Sequence, residues 1–312
     1  MHIFNSLAPI FLILATGAIL TKTQFLSSDH LKGLNGLTYW VGLPCLLFYK
    51  IASATYTGSQ VQQIFLVVVT GMAGTLILSF VLAQMLKMPI TSIGTFMQAS
   101  FRGNLAFVGL PVVIYTFSSL YGMNASQLET LGILVIAPMV PIYNIVSVIV
   151  LLASRRELKL HSAKLFILPV VTNPLVIASV AGVLFSLTGW ALPTSIYRTM
   201  EAVGQMSLPL ALISIGGTLG MVKIRGSLGL AFLASILKVA VAPIVGFYAA
   251  KTMGLGGHET RIALIYLACP TAASSFVLSD QIGGDNALAA SAVVVSTGLA
   301  MISLSAAVGV PL

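Results

Sequence analysis

The run MQASFRGNLAFVGLPVVIYTF, from Met97 to Phe117, decides how the rest of the chain is read. At about 20 residues it is long and apolar enough to cross roughly 30 Å of hydrocarbon. Yet Arg102, Gly103, Asn104, Gly109 and Pro111 are poor residues for an uninterrupted lipid-facing helix, because glycine loosens a helix and proline removes a backbone donor. A second run, IYLACPTAASSFVLSDQ from Ile265 to Gln281, sets Pro270 before Thr271, Ser274 and Ser275. Unwound backbone inside a bilayer is tolerated only where protein or a watery cavity satisfies its N–H and C=O groups. Both runs therefore predict a broken helix at a functional site.

Composition agrees with a chain that is almost all membrane. Of 312 residues, 58% are hydrophobic and 7% charged, against about 25% charged in a soluble domain. Apolar runs separated by short polar breaks predict ten spans, at roughly 3–21, 33–53, 62–86, 92–118, 127–153, 166–188, 196–221, 228–252, 259–280 and 286–310. The first run has no basic flank before it and reads as a spanning helix, not a cleaved leader. The fold class expected is an all-α polytopic membrane protein.

The net charge of +8 could point to nucleic acid, but the basic residues sit between apolar spans and form no contiguous face. Alternating loops put Lys22, Lys32, Lys87, Arg155, Arg156, Lys159, Lys164, Lys223 and Arg225 on one side and Lys50, Arg198, Lys251 and Arg261 on the other. The first side is then cytoplasmic, and both termini of an inner-membrane protein face outward, to the periplasm.

Landmarks repeat at one offset. Pro9 and Pro174, Gly17 and Gly182, and Leu43–Pro44 and Leu208–Pro209 all differ by 165. This predicts two five-helix repeats, 1–153 and 166–312, joined by a basic linker at 154–165. Five is odd, so the second repeat enters from the opposite side and the fourth and ninth helices correspond. Crossing of two broken helices would offer half-helix N-termini, whose free N–H groups and positive dipole ends attract an anion.

Several residues are candidates for that site. Arg102 at membrane depth costs at least about 2.5 kcal/mol on insertion scales, so it either faces a cavity or snorkels to an interface. Asn104 can donate to a carboxylate and accept from a hydroxyl, or it bonds a neighbouring helix. Thr271, Ser274 and Ser275 either contact cargo or bond their own backbone. Lys238 in the eighth span is a second candidate buried cation, for coupling or charge pairing with an acid such as Asp280, unless its long stem reaches an interface. Glu129 and Asp285 fall near span ends; Asp29, Glu157, Glu201, Glu259 and the four histidines are expected in loops.

An intramembrane enzyme would need paired aspartates, an HExxH or a serine–histidine pair at depth, and none occurs; Ile282 before Gly283-Gly284-Asp285 spoils a GxGD pattern. Cys45 and Cys269 are too few and too separated for a disulfide framework or a zinc site. No cofactor or metal is expected, and the coupling ion, proton or sodium, is left open because backbone carbonyls can hold sodium without any acid.

Four stretches carry a resemblance: FRGNLAFVGLP (Phe101–Pro111), TNPLVIASVAG opening the sixth span, GQMSLPLALISIGGTLG in the seventh, and CPTAASSFVLSDQIGGD (Cys269–Asp285). With them the chain resembles, over nearly its whole length, the auxin efflux carrier family of plant PIN-type carriers and bacterial malonate and malate permeases. The resemblance implies ten helices in two inverted repeats, with the fourth and ninth broken where they cross and substrate held beside the crossing. It implies a secondary transporter moving a small organic anion by alternating access. It also implies a scaffold of the first, second, sixth and seventh spans, bending at Pro44 and Pro209 and able to form a homodimer.

In the plant carriers an asparagine seven residues before the crossover proline helps hold the substrate carboxylate, and Asn104 stands at that distance from Pro111. The chain departs from the plant pattern at Arg102 and Gly103, at Thr271 where glutamine is usual, and at Ser275 where a second proline would stand. These departures argue against auxin itself; the resemblance to bacterial malonate and malate permeases implies a dicarboxylate as the cargo, with auxin-like or neutral solutes, or ligand sensing without flux, as the alternatives.

Overall fold

The computed structural model describes residues 2–53, 58–121, 125–154, 171–221 and 228–310. The expected basic linker lies almost entirely outside them, as do Glu157 and His161.

The described residues are helical nearly throughout: α1 (His2–Lys22), α2 (Ser28–Leu37), α3 (Leu43–Ala52), α4 (Gly58–Met85), α5 (Ile90–Phe101), α6 (Leu110–Tyr121), α7 (Ser126–Ser154), α8 (Pro174–Leu187), α9 (Thr194–Met221), α10 (Leu228–Ile236), α11 (Ala242–Thr252), α12 (Gly257–Ala268), α13 (Ser274–Ile282) and α14 (Asn286–Gly309). Wider π-type turns at Thr38–Gly42, Leu105–Gly109 and Leu237–Val241 lead directly into α3, α6 and α11. Among the described residues, five helical stretches are long and apolar enough to cross a membrane: Ser59–Met85, Ser126–Ser154, Thr194–Met221, Leu228–Thr252 and Asn286–Gly309. Shorter apolar helices accompany them.

Local chemistry explains the ends. Ser27 and His30 cap α2 reciprocally, each side chain bonding the other's backbone N–H. Asn173 accepts from Leu175 N–H at 2.9 Å and Pro174 opens α8, where its missing N–H is harmless. Asp285 accepts from Leu288 N–H at 3.0 Å to start α14, and Gly283, at φ 73°, ends α13 in the left-handed conformation that glycine adopts without a Cβ penalty.

Helices run past their apolar cores, which moves some residues expected in loops. Asp29 and His30 lie in α2, Glu201 in α9, and His258 and Glu259 in the first turn of α12. A helix of 28 residues such as α9 is about 42 Å long, more than the hydrocarbon thickness, so its first turns can be polar.

The chain forms two compact units, each drawn from both ends of the sequence. One comprises Met1–Val61, Ala106–Pro141 and Leu168–Met221; the other comprises Gln62–Leu105, Ile142–Ile167 and Val222–Leu312. In the first unit α1 packs along α9 at Gly17 and Gly216. A Cβ on Gly17 would overlap the backbone of Ile213, and one on Gly216 the backbone of Leu14. Small residues allow this approach, the usual way membrane helices gain dispersion contacts without a hydrophobic driving force. Lys50 at the end of α3 pairs with Glu129 of α7 at 2.8 Å, both mostly buried.

In the second unit Ala83, Met88, Phe96, Ala99, Ala231, Ala234, Leu237, Leu288 and Ala292 form the core that joins α4, α5, α10 and α14. Large apolar side chains such as Ile77 and Ile302 are exposed while Thr75, Ser79, Ser291 and Ser296 are buried, the distribution suited to a lipid solvent.

Candidate functional site

Two helix interruptions meet inside the second unit. The first begins at Arg102, where ψ rises to 101° and α5 gives way to extended backbone through Asn104. The second begins at Cys269, with ψ 152°, and runs to Ala273 before α13 starts. Glycine supplies the first break and the absent N–H of Pro270 the second.

The extended segments lie antiparallel, Gly103 opposite Thr271. Asn104 N–H donates to Pro270 O at 2.8 Å, and Ala272 N–H donates to Arg102 O at 3.0 Å. Backbone groups released by the breaks are thus satisfied by each other, as the low-dielectric surroundings require. Thr271 ties the pair down further. Its hydroxyl donates to Ala99 O at 2.7 Å, and its N–H donates to Ser296 Oγ at 3.0 Å.

A second set of bonds fixes α13 against α5. Thr95 and Ser279 share a hydroxyl bond of 3.0 Å, Ser92 Oγ donates to Asp285 Oδ2 at 2.8 Å, and Asp285 N–H donates to Thr95 Oγ1 at 3.0 Å. Asp285 is thereby a structural cap.

The site residues expected from sequence divide as follows. Arg102, Gly103, Asn104, Pro270 and Thr271 come together at the paired breaks and are all buried. Ser275 is buried in the first turn of α13, and its neighbour Ser274 is exposed. Gly109 and Pro111 are buried in the first unit, closing a π-type turn and opening α6. Pro44 opens α3 after another such turn, and Pro209 sits inside α9, where it removes one helical hydrogen bond. Lys238 is completely buried and donates to Leu267 O at 2.5 Å. It does not pair with Asp280, which is exposed and accepts from the Asn286 side chain.

Arg102 and Asn104 differ in how they are held. The Arg102 guanidinium donates to Asn144 Oδ1 of α7 at 2.6 Å. Asn104 is only 8% exposed, yet its carboxamide has no hydrogen-bond partner among the described residues.

Two contributors escaped the sequence reading. Gln98, one helical turn before Arg102, is fully buried with both amide atoms unpartnered among the described residues, as is the Ser275 hydroxyl. The signal for Gln98 was its spacing of four from Arg102, which puts both on one helix face. Asn144 had no comparable signal, being one polar residue in a long apolar run of α7.

Comparison with known proteins places the chain. Residues 2–308 match the family model described as membrane transport protein. The chain is 22% identical over 283 residues to an uncharacterized transporter of Methanocaldococcus jannaschii, covering 90% of this chain and 89% of that protein. It is 24% identical over 300 residues to an uncharacterized transporter of Methanothermobacter thermautotrophicus, covering 95% and 94%. A multi-pass apolar helical chain matched over nearly its full length is a transporter, and it belongs to the membrane transport protein family, the auxin efflux carrier-like group that its sequence resembles.

Proposed function

We propose that the chain is a carrier for a small organic anion, a carboxylate or dicarboxylate, which it holds beside the paired breaks and exposes alternately to the two faces of the inner membrane. The observation that carries this reading is the meeting of the two helix breaks, where Asn104 stands on backbone pinned by two interstrand bonds beside Arg102. A fixed amide donor can bond a carboxylate without reorganising, which limits the ordering cost of binding. Arg102, oriented by Asn144, adds positive charge where solvent screening is weak. Gly103 keeps the two segments close; Pro270, Thr271, Ser274 and Ser275 shape the opposite side.

The architecture proposed around this site is ten spans in two inverted repeats, 1–153 and 166–312, with α5–α6 and α12–α13 as the broken, crossing fourth and ninth helices. Gly109 and Pro111 would release the backbone entering α6. Both termini would face the periplasm, with the more basic set of loops on the cytoplasmic side. The unit gathering α1, α2, α3, α8 and α9 supports a scaffold role for the first, second, sixth and seventh spans, with Pro44 and Pro209 as bends and a homodimer as its assembly. The unit carrying the breaks would be the moving body.

Binding of malonate and malate to the purified protein, compared with their uncharged diamides, tests the cargo class. The wild type should prefer the acids by tenfold or more, and Arg102→Gln should lose most of that preference. Equal affinity for acid and diamide in both proteins would overturn the anion assignment.

A further inference from the structure

Lys238 sits in the π-type turn between α10 and α11 with none of its side chain exposed. It reaches the C-terminal end of α12 at the point where the chain leaves the helix. Three successive carbonyls there are all occupied. Ile265 O accepts from Cys269 N–H at 3.0 Å, Tyr266 O from the Cys269 thiol at 2.9 Å, and Leu267 O from Lys238 Nζ at 2.5 Å. A helix C-terminus carries partial negative charge and favours a cation.

The lysine also touches the other break. A Cβ on Gly103 would lie 3.1 Å from Lys238 Cε and 3.0 Å from Cys269 Sγ. The methylene next to the amino group is therefore packed under the one residue of the first break that has no side chain. Among the described residues the ion pairs are Lys32–Asp29 and Lys50–Glu129, so no carboxylate neutralises Lys238. A buried lysine without an acid, aimed at a helix-end carbonyl between two unwound segments, is an expensive arrangement for packing alone. Elsewhere in membrane carriers, the carbonyls at a half-helix C-terminus coordinate the coupling cation.

We propose that Lys238 is a tethered cation that takes the place of a sodium ion at the end of α12, so that this chain holds its paired breaks together without sodium and presents a fixed positive charge to its cargo. The cargo clause rests on the carrier reading above; the clause about sodium does not. A cation on a stem cannot dissociate, so it contributes order and charge at every stage of the cycle and adds no ion to the transport stoichiometry.

Thermal melting of the full-length protein in detergent tests this without any substrate. Wild type should melt at the same temperature in sodium chloride and in choline chloride of equal ionic strength. Lys238→Ala should melt several degrees lower in choline. Sodium or n-propylammonium should restore much of that loss, whereas the neutral n-propanol should not. Lys238→Met, which keeps the stem and loses the charge, should be destabilised and should not respond to sodium, since the methionine fills the space.

Stabilisation of wild type by sodium, rescue of Lys238→Ala by propanol as well as by propylammonium, or a Lys238→Met protein that melts like wild type would each overturn the proposal. If Lys238→Ala does not fold in any salt, the wild-type comparison and Lys238→Met still decide it. Failure here would leave the carrier reading standing, because that reading is tested separately, by flux and binding.

Discussion

Gly103→Ala is the substitution whose consequence the structure fixes most closely. The added methyl would meet Cys269 Sγ at 3.0 Å, Lys238 Cε at 3.1 Å and Leu105 Cδ2 at 3.4 Å. The first two are tighter than ordinary van der Waals contact. Neither neighbour can retreat cheaply: the thiol is bonded to Tyr266 O and the lysine to Leu267 O. Overpacking of this kind costs about 1–3 kcal/mol, and here it must also strain the Asn104–Pro270 and Arg102–Ala272 backbone bonds. The assay is equilibrium unfolding in mixed micelles, with helicity followed by circular dichroism. Cys269→Ala removes the nearer obstacle, so the double variant Gly103→Ala/Cys269→Ala should recover a third or more of the loss, a coupling that neighbouring sites show and distant ones do not. A Gly103→Ala protein as stable as wild type would refute the claim that the two breaks are packed together at Gly103.

Other perturbations follow from the same contacts. Thr271→Val keeps the shape but leaves Ala99 O without its hydroxyl donor, which should cost about 1–3 kcal/mol in the same unfolding assay; Thr271→Ser should be milder. Glu129→Gln leaves Lys50 mostly buried without its counter-charge, so the unfolding free energy should fall, by less than the roughly 3–5 kcal/mol measured for fully buried pairs; no change would mean the pair is solvated. Gly216→Val sets side-chain bulk against the backbone of Leu14 and should abolish the folded, monodisperse peak in size-exclusion chromatography.

Much of this was legible in the sequence because the bilayer restricts what a chain can do. The apolar run at about 228–252 became α10 and α11 from Leu228 to Thr252, and the run at about 286–310 became α14. The break in the fourth run was legible from Arg102-Gly103-Asn104, and the break in the ninth from Pro270, because these residues state their backbone preferences locally.

What joins the breaks was not legible. Thr271 was open between cargo contact and a structural bond, and nothing in the sequence signalled that its hydroxyl would reach Ala99 O, a carbonyl 172 residues away. Lys238 looked like a partner for Asp280 and instead found a carbonyl. Lys50, assigned to the outer face, is in the last turn of α3, and its pairing with Glu129 had no signal in the sequence. Each depends on the register between helices, and helix periodicity fixes which face a residue occupies, not which residue on another helix stands opposite.

The central claim is that a small organic anion passes through this protein by way of Asn104. Uptake of labelled malonate and malate into proteoliposomes tests it most directly, with wild type beside Asn104→Ala. Because no side-chain hydrogen bond holds the Asn104 carboxamide among the described residues, the variant should stay folded, with a melting temperature lowered by no more than a few degrees, and yet lose tenfold or more of the flux. Equal flux through both proteins, or flux that falls only in step with loss of the folded form, would contradict the account.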